Sequence, residues 1–173
     1  MGVLSSLFHL AWSLRAGGKL GKGNTPTYNI EAIVDTFPFP WPPGKEDTSS
    51  AAYQAISAAA KRLHQERDEW LNPPELMGEN AGLGASDLLK KRTLTNLYNA
   101  LEDYRKRGNG EKSTNGPRKA PTAADTFAPR LHELHAALDR AVCDAYGWPH
   151  EVLDDEEDML RRLLALNLER AGS

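Results

Sequence analysis

Cysteine is almost missing from this chain. Cys143 is the single one in 173 residues, which excludes an internal disulfide and fits a reducing compartment. Its position in an apolar helical run makes it a core side chain rather than a nucleophile. No charge sign dominates, because 21 Lys and Arg against 24 Asp and Glu leave a net charge of −3. Nothing global therefore announces a nucleic-acid binder, and any such contact must be local. Long hydrophobic runs are also lacking. The nearest, Val3 to Trp12, has no basic leader, contains His9 and is too short to span a bilayer, so neither a signal peptide nor a membrane span is expected. The expected location is the cytoplasm. With 40% hydrophobic and 26% charged residues, the composition is that of a soluble chain able to bury a core, as one domain or one and a half.

What is present centres on Asp35-Thr36-Phe37-Pro38-Phe39-Pro40-Trp41-Pro42-Pro43-Gly44. Four prolines within six positions, 38 to 43, remove four backbone donors and fix φ, so neither a helix nor a central strand runs through. Three large aromatic side chains alternate with them. That is too much apolar area to leave in water at about 25 cal/mol per Å². The stretch reads as a stiff strap pressed onto a surface; the competing reading, a proline-rich ligand for a separate aromatic groove, sits poorly with helical sequence so close behind.

Ahead of the strap, Leu4, Leu7, Phe8, Ala11, Trp12 and Leu14 keep a helical period, with Arg15 at the end and Gly17-Gly18 as the stop. Gly17, Gly18, Gly21 and Gly23 then form a pliable loop carrying Lys19 and Lys22, without the spacing of a Walker loop; a plain turn is the simpler reading. Tyr28, Ile30, Ala32 and Val34 alternate as in a short edge strand.

Beyond Gly44 the pattern becomes helical. Asp47, Thr48 and Ser49 offer caps for a helix with Tyr53, Ile56, Ala60, Leu63, Arg67 and Trp70 on one face, ended by Asn72-Pro73-Pro74. Ser86 or Asp87 caps a second, with Leu94, Leu97, Tyr98, Leu101 and Tyr104 inward and Lys90, Lys91 and Arg92 at one end. A mobile polar loop is expected near 108–122. A third helix opens near Asp125 and stops at Gly147, a left-handed C′ residue, before Pro149. The acidic run Asp154 to Asp158 marks the start of a fourth, where the helix dipole favours negative charge; a metal site there is the poorer alternative. The fold class expected is mainly α: a short N-terminal helix and edge strand, then a bundle of about four helices.

No complete active site emerges. Asn72-Pro73-Pro74-Glu75 resembles the loop that grips the exocyclic amine in amino-methyltransferases, but a charged helical run precedes it and Glu75 stands where a stacking aromatic is needed. A Phe-x-Gly-x-Gly cofactor loop is absent. His132 and His135 share a helix face, yet a metal would need further ligands from elsewhere. No Ser-His-Asp or Cys-His arrangement can be assembled from the spacing.

Several strings taken together resemble one family. Gly2-Val3-Leu4-Ser5-Ser6 with His9 and Trp12, Gly18-Lys19-Leu20-Gly21 with Tyr28-Asn29, and Asp35 to Pro40 are similar to the end of the target-recognition domain in MmeI-like single-chain DNA methyltransferases of Type II restriction-modification systems. Leu94-Thr95-Asn96-Leu97-Tyr98-Asn99, Leu131-His132 with Leu134 and Leu138 to Val142, Ala145-Tyr146-Gly147-Trp148, and Leu163 to Arg170 resemble the helical C-terminal domain of the same enzymes.

The resemblance implies a parent enzyme that moves a methyl group from S-adenosylmethionine to N6 of adenine at a defined DNA site. It places the cofactor loop and the Asn-Pro-Pro-aromatic loop upstream of this chain, so no cofactor and no catalytic residue are expected here, and Met1 would open a truncated gene or one piece of a split enzyme. Residues 1–44 would complete the recognition domain, and 45–173 would be the helical C-terminal domain. Double-stranded DNA and an upstream methyltransferase polypeptide are the implied partners. Arg15, Lys19, Lys22, Lys90, Lys91 and Arg92 are the candidate phosphate contacts. The competing class is a free-standing helical interaction module without a role in methylation. Because one helix and one edge strand cannot close a sheet, some apolar surface near residues 1–34 should remain uncovered.

Overall fold

The computed structural model describes residues 2–20, 25–27, 29–78, 82–108 and 120–172, with backbone alone at 18–20 and 25–27. The chain is mainly helical. Helices α1 (Leu7–Ala16), α2 (Ile30–Ile33), α3 (Ala51–Leu71), α4 (Ala85–Lys90), α5 (Leu94–Gly108), α6 (Ala123–Tyr146) and α7 (Glu156–Ala171) alternate with 3-10 turns at Val3–Ser5, Pro74–Leu76 and His150–Asp154. Strands β1 (Gly18–Leu20) and β2 (Thr25–Thr27) pair antiparallel, Gly18 opposite Thr27. Among the described residues no helix is long and apolar enough to cross a membrane. The loop expected near 108–122 lies outside the described residues over 109–119, as do Gly21, Lys22, Gly23 and Tyr28.

The expected edge strand over 28–34 is not seen. Asn29 instead accepts a hydrogen bond from the Glu31 amide at 3.0 Å and starts the single-turn helix α2. A period of two over so few residues yields to a good N-cap. Ile33 points into the core while Ile30 stays exposed.

Most helix ends follow from local chemistry. Ser50 Oγ accepts from the Tyr53 amide at 3.2 Å to open α3, and Pro73-Pro74 follow its end. Thr122 and Asp125 bond reciprocally at the start of α6, amide to carboxylate at 2.8 Å and amide to hydroxyl at 3.2 Å, a capping box. Gly147, at φ +68°, closes α6: its amide reaches the Asp144 carbonyl and the Trp148 amide the Cys143 carbonyl, the paired bonds of a Schellman stop. Asp155 caps α7 by accepting from the Asp158 amide at 3.0 Å. The second helix anticipated from sequence is two, because Thr93 Oγ1 accepts from the Asn96 amide and opens α5 separately from α4.

Two compact units are formed, Met1–Ala60 with Ala137–Ser173 and Lys61–Ala136. In the first, Phe8, Ile33, Phe37, Leu138, Val142, Cys143, Met159 and Leu163 are buried. In the second, Leu63, Trp70, Leu97, Leu101, Leu131 and Leu134 are.

Candidate functional site

The strap is held in the first unit by donors brought from far along the chain. A proline-rich backbone is short of N–H groups and rich in carbonyls, so side chains must supply the donors. Asn167 Nδ2 donates to the Thr36 carbonyl at 2.6 Å and Tyr146 Oη to the Pro38 carbonyl at 2.9 Å. Arg170 spreads its fork over two more, Nη1 to Phe39 at 2.6 Å and Nη2 to Pro40 at 3.3 Å. The Phe37 carbonyl is met locally by the Phe39 amide at 2.9 Å, so five successive carbonyls, from Thr36 to Pro40, have donors.

Phe37 is the apolar centre of that anchorage. Its ring meets the edges or faces of His9, Trp12 and Phe39 at centroid distances of 5.1, 6.3 and 5.0 Å, each near perpendicular. Trp12 Nε1 donates to Thr36 Oγ1 at 3.2 Å, and that hydroxyl donates to the Ala32 carbonyl at 2.6 Å. On the same unit Phe8 packs against Tyr146 and Trp148, which stack on each other at 4.4 Å. Burial pushes the Tyr146 phenol far above its ordinary pKa, so it stays a donor to Pro38. Burial likewise raises the Cys143 thiol, whose Sγ lies 3.4 Å from the carbonyls of Trp148 and Pro149. The thiol is a buried part of the helix stop.

Of the six candidate phosphate contacts, three stand together in the second unit. Lys90, at the end of α4, is exposed and pairs with Asp87 at 3.0 Å. Lys91 is exposed beside it, and its carbonyl accepts from Asn96 Nδ2 at 2.9 Å. Arg92 turns inward: its guanidinium lies 5.0 Å from the Trp70 ring centroid and Nη1 donates to the Trp70 carbonyl. Lys91, Arg92, Asn96, Asn99 and Thr122 line, with Trp70, Leu76 and Leu88, a cavity of about 510 Å³ that has no carboxylate in its lining. An anionic group suits it; a cation does not. In the first unit Arg15 is exposed near the end of α1, sharing a groove with Glu156 and Glu157. The Lys19 side chain and the whole of Lys22 lie outside the described residues.

The remaining polar groups of the second unit are tied to one another. Arg130 grips Glu66 with two bonds, Nη2 to Oε1 at 2.6 Å and Nε to Oε2 at 2.7 Å, and the guanidinium holds the Glu66 carboxyl down to about 2. Tyr98 Oη accepts from Arg67 at 3.2 Å and bonds His135 Nε2 at 3.1 Å. Burial, aided by Arg105, Arg67 and His132, brings His135 down to about 4, so it is neutral near pH 7. His132 is also lowered by burial and lies 3.5 Å from Arg105 Nε. Among the described residues no three His, Cys, Asp or Glu gather as a metal site. Asn72, in the Asn-Pro-Pro string, spends its amide on Asp68 at 3.0 Å.

Sequence reasoning passed over the residues that fasten the strap. Asn167 and Arg170 stand in the string Leu163 to Arg170 with nothing to mark this role, and one sign could have marked them: long donors facing a carbonyl-rich stretch. Trp70 as the partner of Arg92 had no signal in spacing at all.

No protein-family model matches this chain, and neither a curated protein nor a solved structure does.

Proposed function

We propose that this chain is the C-terminal recognition and scaffold portion of an S-adenosylmethionine-dependent, site-specific DNA adenine-N6 methyltransferase of a restriction-modification system, working in the cytoplasm beside a separate catalytic region encoded upstream. The observation that carries the reading is a convergence. His9 and Trp12, the strap from Thr36 to Pro40, Tyr146, and Asn167 with Arg170 come from four of the strings that resemble MmeI-like enzymes, and they meet around Phe37 in one unit. Strings scattered over the chain thus behave as one device: the tail of a reading domain fastened by a helical brace, with the later helices as a bundle.

On this reading the methyl donor is held by the catalytic region and not by the cavity beside Trp70. That cavity is lined by Lys91 and Arg92, which favour a phosphate over a sulfonium. What these residues offer is affinity for the phosphate backbone: Lys90, Lys91 and Arg92, with Arg15, Lys19 and Lys22, position a duplex without reading its bases. Base reading, and extrusion of the adenine from its stack, fall to the assembled enzyme.

The test is the salt dependence of DNA binding by that enzyme. Replacing Lys90 and Lys91 by alanine, with Arg92 kept for its hold on Trp70, should make the slope of log K against log salt shallower by about 0.9 for each phosphate that is no longer neutralised. An unchanged slope removes them from the interface. A free-standing interaction module is the second reading, favoured by the exposed leucines of the first unit. It predicts no DNA binding in any assembly.

A further inference from the structure

We propose that the cavity beside Trp70 is a binding site for a nucleoside 5′-monophosphate, taken either as the free nucleotide or as the phosphorylated end of a DNA strand. Every lining residue belongs to the second unit, and the volume of about 510 Å³ falls within the range of sites that enclose a small ligand. Such a site needs no partner polypeptide, so it stands or falls separately from the role proposed above.

The charged part of the lining is Lys91 and Arg92, without a carboxylate among the lining residues. Arg92 is fixed before any ligand arrives: its guanidinium lies over the Trp70 ring and Nη1 is bonded to the Trp70 carbonyl, which leaves the rest of its donor fork to offer. Lys91 is held at its backbone, where Asn96 Nδ2 meets its carbonyl at 2.9 Å, and no carboxylate among the described residues pairs with its ammonium. Lys90, by contrast, is paired with Asp87 and lies outside the lining. Asp125, next to the lining residue Ala124, turns its carboxylate onto the Thr122 amide and hydroxyl at 2.8 and 2.7 Å. Ala123 and Ala124 add two backbone amides that meet no acceptor among the described residues. Two cations with these donors suit the nearly double charge of a phosphate monoester better than the single charge of a carboxylate.

The rest of the lining has the character a nucleoside requires. Leu76, Leu88 and the two alanines give an apolar wall, and Leu88 is 52% exposed, an apolar surface that a ligand would take out of water. Asn99 stands one turn beyond Asn96 on α5, exposed, and its amide has no partner among the described residues. It offers a donor and an acceptor side by side, the pattern that pairs with a purine edge. Trp70 itself is 8% exposed and engaged by Arg92 and Phe127, so the base lies against the leucines and not on the indole. A bare inorganic anion would leave the apolar wall empty, and an apolar carboxylate would leave the Asn99 amide unused.

The experiment titrates deoxyadenosine 5′-monophosphate into the purified full chain by calorimetry, with deoxyadenosine and inorganic phosphate as separate arms. The nucleotide should bind one to one, and each of its two parts at least about tenfold more weakly. Lys91→Glu should weaken the nucleotide by at least about tenfold, whereas Lys90→Glu, the same charge change one residue away and outside the lining, should alter it less than about twofold. Asn99→Leu should weaken the nucleotide and leave inorganic phosphate as it was. All three positions are exposed, so circular dichroism melts should match wild type. A short DNA strand with a 5′-phosphate is compared with the same strand lacking it. Tighter binding of the phosphorylated strand than of the free nucleotide assigns the site to strand ends, and weaker binding assigns it to the nucleotide. Either part binding as tightly as the whole, equal losses for Lys90→Glu and Lys91→Glu, or no saturable binding by the wild-type chain overturns the inference. Each of those results leaves the salt-slope test of the proposed function to be decided on its own.

Discussion

Arg170 holds the strap more firmly than its place near the end of the chain would lead one to expect. Its planar fork meets the Phe39 and Pro40 carbonyls together, which a lysine cannot imitate. Arg170→Ala leaves two acceptors without donors and should cost about 2 kcal/mol in urea unfolding, and Arg170→Lys should recover only part of it. Phe37→Ala removes a buried ring with three aromatic neighbours and should cost about 3–5 kcal/mol in the same assay.

Two titrating residues of the second unit set separate pH windows. His135 is at about 4 when folded and 6.5 as a free group, so the unfolded chain takes up its proton first. Stability should therefore fall as pH drops from about 6.5 to about 4, and His135→Gln should flatten that part of a melting-temperature profile. Glu66 is at about 2 when folded against 4.5 as a free group. Its contribution is whole above about 4.5 and fades as pH falls toward 2; Glu66→Gln should abolish that lower window and spare the upper one.

At the scale of elements, stops and starts were legible wherever a single residue type forces them. Pro73-Pro74 and Gly147 act where the sequence says they should, and the acidic run expected to start a helix supplies its cap, Asp155. Gly147→Ala, with φ at +68°, should lower stability by about 1 kcal/mol in thermal unfolding. Ser86 and Asp87 do not cap α4, which opens at Gly84 without a side-chain cap; two other misreadings share a cause, short segments in which a side-chain cap competes with a hydrophobic period. Asn29 turned an expected strand into α2, and Thr93 split one expected helix into α4 and α5. The strap was legible as a surface-bound connector because prolines and aromatics admit little else, but its donors were not, since hydrogen bonds between residues about 130 positions apart leave no periodic trace.

For the whole molecule, the order of elements hides the closure of the first unit, in which residues 137–173 return to residues 1–60. The candidate phosphate-binding residues were only partly legible for a similar reason. A run such as Lys90-Lys91-Arg92 announces charge, but not that the third cation is committed to Trp70. The proposed function makes this chain dependent on another: reading tail and brace here, methyl donor elsewhere. Transfer of labelled methyl from S-adenosylmethionine to DNA tests it most directly, measured for the purified chain, for the catalytic region encoded upstream, and for the two combined. Incorporation only in the combined sample is the predicted result; incorporation by this chain alone, or full site-specific activity without it, would contradict the account.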